Sequence, residues 1–375
     1  MSSDVSRRKM LQAAGATALW PGAAPGAPAS EGMGVEGPDT PKLCLGISAR
    51  RPASPSSAEG WIDDEGMRRI KQIGVNHVLM GGPRIPWQES DIRARMDTLR
   101  RGGLSLGNMM IGGFPNTIYG RPGRDEEIEK VQESIRAAGR VGLPVVEYNF
   151  YAHRIVEGYY AETGRGGAGL TAFDYDRVKN LPPLPEEGAH NLDEMWKNIT
   201  YFLKAVIPVA EKANVRLALH PNDPPAPISR GSQQIMGTVE GWKHLIEIVD
   251  SPSNGITFDC GVTREMGHDP VEVCRYFGSR DRINHVHYRN VRVQKPYEKY
   301  TEVFIDAGVN NMFAVMKELV RLKYPRLVYP EHPRALDYDR EQPNFKSGYP
   351  GGGGYAAFAF NVGYARAMFQ AALSS

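Results

Sequence analysis

The 375-residue chain contains only three cysteines, Cys44, Cys260 and Cys274. They are widely spaced, odd in number and form no CxxC pair, which excludes a disulfide framework and gives no sign of a cysteine-bound zinc. No stretch reaches 18 uninterrupted apolar residues, so none reads as a membrane-spanning helix. The formal charge is only +2, which gives no basic field for nucleic acid. There is no GxGxxG and no sign of a second domain. What is present, with 41% of residues hydrophobic, is enough apolar material for one large globular domain.

The amino terminus reads separately. Residues 6–11, SRRKML, form a twin-arginine run followed by an Ala-rich apolar stretch through Trp20 and a small-residue Ala27-Pro28-Ala29. This is the pattern of a Tat-type export signal spanning 1–29 and removed near Ser30, followed by a Gly/Pro-rich linker over 30–41. It predicts a periplasmic or otherwise exported protein.

From residue 42 onward short apolar runs alternate with amphipathic helical stretches. Strands are predicted at 43–47, 76–80, 104–111 and 144–150, and helices at 63–73, 89–101 and 125–141. A long segment over 151–190, rich in Gly, Tyr and Pro, shows no obvious regular structure. It is expected to cover the mouth of the fold or to meet a second copy of the chain in a homo-oligomer. A helix over 191–213 follows, then helices near 239–249, 270–277 and 311–322, and a last one over 355–373 after the turn Gly351 to Gly354. Eight strands and eight helices in alternation predict an α/β fold, a single (β/α)8 TIM barrel over 42–375.

The last four strands carry the chemistry. NVRLALHPNDPP delivers His220 at the end of its apolar run, GITFDC delivers Asp259, RINHVHYRN His287 and RLVYPEHPR Glu331. The intervals, roughly 30 to 45 residues, are about one strand plus helix of a barrel whose active sites gather at the carboxyl ends of its strands. Two imidazoles and two carboxylates suit a divalent ion, Mn first and Fe, Co or Zn as alternatives. Strand alternation puts Asp259 and Cys260 on opposite faces, and Asp259 is favoured as ligand with Cys260 packed in the core. His285 lies one layer below His287 and reads as a supporting or core histidine. Glu147 shares a face with Asn149, which is a candidate to bind a substrate hydroxyl. Arg289 is a candidate to hold a substrate carboxylate, and His332 to act as a base.

HPNDPP, SPSNGITF, INHVHYRNV and YNF, together with GGAGLTAFDYD, resemble the mannonate dehydratase family, metal-dependent sugar-acid lyases on a xylose isomerase-like TIM barrel. The resemblance runs from about Lys42 to the carboxyl terminus. In that family the metal is held by His, Cys, His and Asp. The histidines fall on His220 and His287, the cysteine on Asp259 and the aspartate on Glu331. The family's arginine two residues before that aspartate is Tyr329 here. Its PGYG tyrosine falls within the glycine run, which Tyr349 and Tyr355 flank, and either could serve as acid toward a leaving hydroxyl. The resemblance implies a divalent-metal dehydratase of a sugar acid or oxidised sugar. The mixed ligand set keeps open a ketose isomerase or epimerase, and the changed arginine and tyrosine keep open an exported carbohydrate-binding barrel without turnover.

Overall fold

The computed structural model describes residues 36–375; the export signal and the first half of the linker predicted above lie outside the described residues. Eight parallel strands close into a barrel in chain order: β1 (Lys42–Gly46), β2 (His77–Gly81), β3 (Ser105–Ile111), β4 (Val145–Tyr148), β5 (Arg216–Leu219), β6 (Asn254–Asp259), β7 (Ile283–His287) and β8 (Leu327–Tyr329), with β8 pairing back onto β1. The principal outer helices are Asp64–Gln72, Glu89–Arg101, Arg124–Val141, Leu192–Ala213, Val239–Ile248, Pro270–Gly278, Met312–Arg321 and Tyr355–Leu373. Among the described residues no helix is long and apolar enough to cross a membrane.

The sequence builds this architecture because its strands are buried on both faces. Outward-facing residues such as Val146, Phe258 and Val286 are inaccessible to solvent and belong to the core beneath the helices, alongside Trp242 and Phe277. Purely parallel sheets require that two-sided cover. Helix starts are set locally. Asp63, Thr238, Asp269 and Asn311 each cap the helix that follows, and Asn191 with Glu194 forms a capping box. Side-chain oxygens there satisfy first-turn N–H groups that have no intrahelical acceptor.

The segment over 151–190 differs from expectation. It contains two strands, Tyr159–Thr163 and Gly169–Asp174, which join the hairpin Val291–Lys295 and Lys299–Glu302 in a four-stranded antiparallel sheet. Each half meets its partner only across more than a hundred residues of chain, so no local hairpin signal announced the pairing. This sheet also packs against the glycine run before the last helix. At Gly351 the backbone is left-handed, with φ 70°, and a Cβ would lie 2.1 Å from the Leu170 carbonyl oxygen, so only glycine fits that approach.

The last helix opens on Gly354, which has no side chain to cap it. Asp339, fully buried, supplies the acceptor instead: its carboxylate takes hydrogen bonds from the N–H groups of Gly354 (3.0 Å), Ala356 (3.1 Å) and Ala357 (3.1 Å). Asp339→Ala should therefore lower the unfolding free energy by about 1–3 kcal/mol in chemical denaturation, with little change in the denaturant slope.

Candidate metal centre

Register sets the site. β6 pairs with β7 so that Asp259 stands beside His287 and Thr257 beside His285. In parallel strands with a side-chain period of two, this places Asp259 and His287 on the inner face at the carboxyl rim and Thr257 and His285 one layer deeper. On the other side β4 pairs Tyr148 with Leu219, and the His220 N–H continues that ladder by donating to the Tyr148 carbonyl at 2.9 Å. His220 therefore also sits at the rim. Glu331 follows β8 by two residues and is 7% exposed.

The four predicted ligands converge. His220 Nδ1 donates to the Pro221 carbonyl at 2.7 Å, which fixes the proton there and leaves the Nε2 lone pair facing His287 Nδ1 at 3.2 Å. His287 Nδ1 lies 3.0 Å from Glu331 Oε1 and 3.8 Å from Asp259 Oδ2. The other oxygen of Asp259 is used locally, accepting from the Val262 N–H at 2.8 Å. On the far side of His287, Nε2 lies 3.6 Å from Glu147 Oε1. A carboxylate behind a ligating histidine orients the ring and raises its basicity.

The layer below is polar but committed. The Glu147 oxygens accept from Asn108 Nδ2 at 2.7 Å and from Thr257 Oγ1 at 2.8 Å. His285 is fully buried with neither ring nitrogen hydrogen-bonded, and burial lowers its pKa to about 4. It is a neutral core histidine, as expected, although without the hydrogen bond such a residue usually has. Cys260 is also fully buried and belongs to the core, where burial raises its thiol well above the usual range. A protonated thiol of that kind is a poor ligand.

Arg289 is 2% exposed and lies among carboxyl groups: Nε is 3.0 Å from Asp259 Oδ2 and 3.4 Å from Glu331 Oε1, and Nη1 is 2.7 Å from Glu265 Oε1. Asp223 and Glu302 stand 3.6 and 3.7 Å away. Arg289 was expected to hold a substrate carboxylate; here Nε and Nη1 face the protein's own acids, while Nη2, 3.6 Å from Asp223 Oδ1, has no hydrogen-bond partner. Arg334, 1% exposed, lies 3.0 Å from Glu302 Oε2, and Arg154 lies 3.2 Å from Asp223 Oδ2. Burial pushes Glu265 well above the carboxylate range. Even with Glu265 counted as neutral, Glu147, Asp223, Asp259, Glu302 and Glu331 face only three guanidiniums, and with no ion bound the imidazoles of His287 and His332, both raised in pKa, supply the remaining positive charge. Buried negative charge in excess must be balanced. Burial works against charge on both groups, yet the surrounding acids hold His287 well above its usual pKa, and His287, His332 and Arg289 hold Glu331 well below its own. His220, Asp259 and His287 offer ligand atoms within 4.8 Å of one another, and Glu331 Oε1 lies 3.0 Å from His287 Nδ1; this donor set fits a divalent cation. Two other groupings are poorer fits: Asp223, Glu302 and His332, whose acids pair with Arg154 and Arg334, and Glu147, His285 and His287, where both Glu147 oxygens already accept from Asn108 and Thr257.

The remaining predicted residues divide. His332, the candidate base, follows Glu331 directly, and in a regular strand adjacent side chains point to opposite faces. Its backbone is instead left-handed, with φ 48°, and the imidazole turns inward. Nδ1 lies 2.9 Å from Glu302 Oε2, which two guanidiniums and His332 hold down to about 2 in pKa against the opposing effect of burial. His332 Nε2 lies 3.6 Å from Glu331 Oε2. The Tyr349 ring packs on His332 at 4.7 Å between centroids. Tyr355 is elsewhere: its hydroxyl donates to the Arg69 carbonyl at 2.8 Å and its ring lies under the Arg69 guanidinium. It is not brought to the cluster. Asn149 is half-buried on the rim beside β5, in a cleft of about 300 Å³ with Gly82, Met110 and Gly113. A separate cavity of about 260 Å³ is lined by Glu331, His332, Arg334 and Tyr349, together with Glu59 and Tyr329. Asp223 lay in a motif that was read only for its prolines. Glu302 and Arg334 had no sequence signal, because their importance depends on the sheet over the mouth.

A closed parallel barrel with an imidazole and carboxylate cluster at its carboxyl rim defines a xylose isomerase-like TIM-barrel enzyme. Residues 187–373 match the family described as D-mannonate dehydratase (UxuA). A mannonate dehydratase of Thermotoga petrophila is 31% identical, covering 74% of this chain and 88% of that protein. The crystal structure of mannonate dehydratase from Streptococcus suis serotype2 superposes with a TM-score of 0.77 at 26% identity, covering 89% of this chain and 95% of that one. At the level of fold alone, 3-keto-D-glucoside 4-epimerase from E. coli superposes with a TM-score of 0.53 at 16% identity, covering 88% and 100%. The chain belongs to the mannonate dehydratase family, carbon–oxygen lyases acting on sugar acids.

Calorimetry with Mn should show His220→Ala and His287→Ala abolishing tight binding and Glu147→Gln weakening it roughly ten- to hundredfold. Cys260→Ala should bind within about twofold of the unaltered protein; a large loss there would transfer the ligand role from Asp259 to Cys260.

Proposed function

We propose that this chain is a Mn-dependent dehydratase of a six-carbon sugar acid, D-mannonate in the first instance. The observation that carries the reading is the convergence of His220, Asp259, His287 and Glu331 at the barrel rim beside a cavity of small-substrate size, in a chain of this family. A divalent ion bound there would supply Lewis acidity, polarising oxygens of the substrate and stabilising charge as the proton beside the carboxylate is lost.

The chain's own residues divide the remaining work. Glu302 holds His332 through Nδ1, leaving Nε2 toward the cavity to accept the proton from the carbon next to the carboxylate. Burial opposes charge on His332, yet Glu302 and Glu331 raise its pKa, which makes it the stronger base. Tyr349 lines the same cavity, and burial keeps its hydroxyl protonated, so it serves as donor to the departing hydroxyl. The sheet formed by Tyr159–Thr163, Gly169–Asp174 and the 291–302 hairpin supplies Glu302 and walls the chemistry from water. An isomerase or epimerase would return the proton to a neighbouring carbon instead of expelling hydroxide.

Protein stripped with a chelator and reloaded with Mn should convert D-mannonate to 2-keto-3-deoxygluconate, followed by the appearance of the keto acid. The stripped protein should be inactive, and His332→Asn should lose at least a hundredfold in kcat. Recovery of an epimerised or isomerised six-carbon acid without loss of water would replace the lyase reading.

We also infer export through the twin-arginine signal over 1–29, on the strength of SRRKML and the Ala27-Pro28-Ala29 site. Fractionation should place the expressed protein outside the cytoplasm and shortened near Ser30, and replacing Arg7 and Arg8 with Lys should retain it inside. A twin-Lys variant exported as well as the parent would contradict this.

A further inference from the structure

The loop between β1 and the first helix contributes none of the predicted site residues, yet its Ser57 and Glu59 line the same cavity as Glu331 and His332. Glu59 Oε2 accepts from the Gly46 N–H and its Oε1 from the Tyr329 hydroxyl. Gly46 ends β1, and a Cβ at that position would lie 2.7 Å from Glu59 Oε1 and 3.1 Å from its Cδ. The carboxyl group therefore occupies space that only a glycine at 46 leaves.

This arrangement positions a carboxyl group without neutralising it. Both partners are neutral donors, and among the described residues no ion pair involves Glu59. The nearest named charge is a like one, Glu331, on the same cavity. Burial raises the Glu59 pKa to about 7 despite the two hydrogen bonds it accepts. Glu59 is half-buried and lines the cavity, so a carboxyl group beside another acid is presented to whatever the cavity holds. Each of its oxygens retains a second lone pair. Tyr329 does not need the contact to stay in place, because its ring is held edge-on to His287 at 5.6 Å and stacked on Phe358 at 6.3 Å.

We infer that Glu59 is a substrate-contacting residue, its carboxyl group accepting a hydrogen bond from a hydroxyl of the polyhydroxy acid bound in the cavity it shares with Glu331 and His332. The inference rests on the dehydratase reading for the identity of the acid. It adds a specificity determinant on the β1 side of the barrel, where an acid lacking a hydroxyl at that position leaves the carboxyl group unanswered.

The test uses full-length Mn-loaded protein and its Glu59→Gln variant. Glutamine keeps the shape: its carbonyl oxygen can still accept from the Gly46 N–H, while its amide donates to the Tyr329 hydroxyl, which turns to accept, so thermal midpoint and Mn content should change little. D-Mannonate should bind about ten- to hundredfold more weakly by calorimetry, with KM raised to match where turnover occurs. Tyr329→Phe frees the carboxyl group without removing it and should change binding by less than Glu59→Gln does. Binding within twofold of the parent in Glu59→Gln would overturn the inference, as would a loss of Mn that accounts for the weaker binding. If the parent binds D-mannonate but does not dehydrate it, the dehydratase reading fails while the binding comparison still decides the role of Glu59.

Discussion

Negative charge, buried in excess around a single guanidinium, is the constraint to which the rest of this structure answers. Arg289 meets Asp259, Glu265 and Glu331 directly, with Asp223 and Glu302 close by. One cation cannot balance that set. Leaving ionised groups unpaired in such a site costs several kcal/mol each. The balance is made partly by Arg154 and Arg334, partly by a proton on Glu265, and partly by charge on His287 and His332, which a divalent ion held by the two imidazoles and two carboxylates would replace at His287. The same charge sets the pKa of His287 and His332, so electrostatics at the rim connects metal binding with proton transfer.

The sheet over the mouth belongs to the same account. Its strands bring Glu302 to His332 and Arg334, and Thr171 accepts from Arg334 at 2.6 Å. Tyr159 donates to Asp223 at 2.7 Å. The inner face of this cover is therefore part of the charge network as well as a barrier to water. Removing it would take Glu302 from His332 and Arg334 and Tyr159 from Asp223.

Much of this was legible in the sequence where the signal was local and periodic. Strand ends announce themselves when an apolar run stops at a histidine or carboxylate, and four such ends at barrel spacing named His220, Asp259, His287 and Glu331. The choice of Asp259 over Cys260 followed from alternation, and the burial of Cys260 in the core agrees with it. Alternation failed at His332, where a left-handed residue between two prolines reverses the side chain. It was silent about Arg289, whose environment is built from five separate stretches of chain. Tyr355 was proposed from its nearness in sequence to the glycine run, yet the helix it begins carries it to Arg69. Glu59, Glu302 and Arg334 were not visible at all, because each acquires its role from a contact between segments distant in sequence.

The most direct measurement is an anomalous-scattering map of crystals grown with Mn. The account predicts one strong peak within coordination distance of His220 Nε2, His287 Nδ1, Asp259 Oδ2 and Glu331 Oε1, with Glu147 behind His287. A peak among Asp223, Glu302 and His332 instead, or none at the rim in crystals that hold Mn elsewhere, would contradict it.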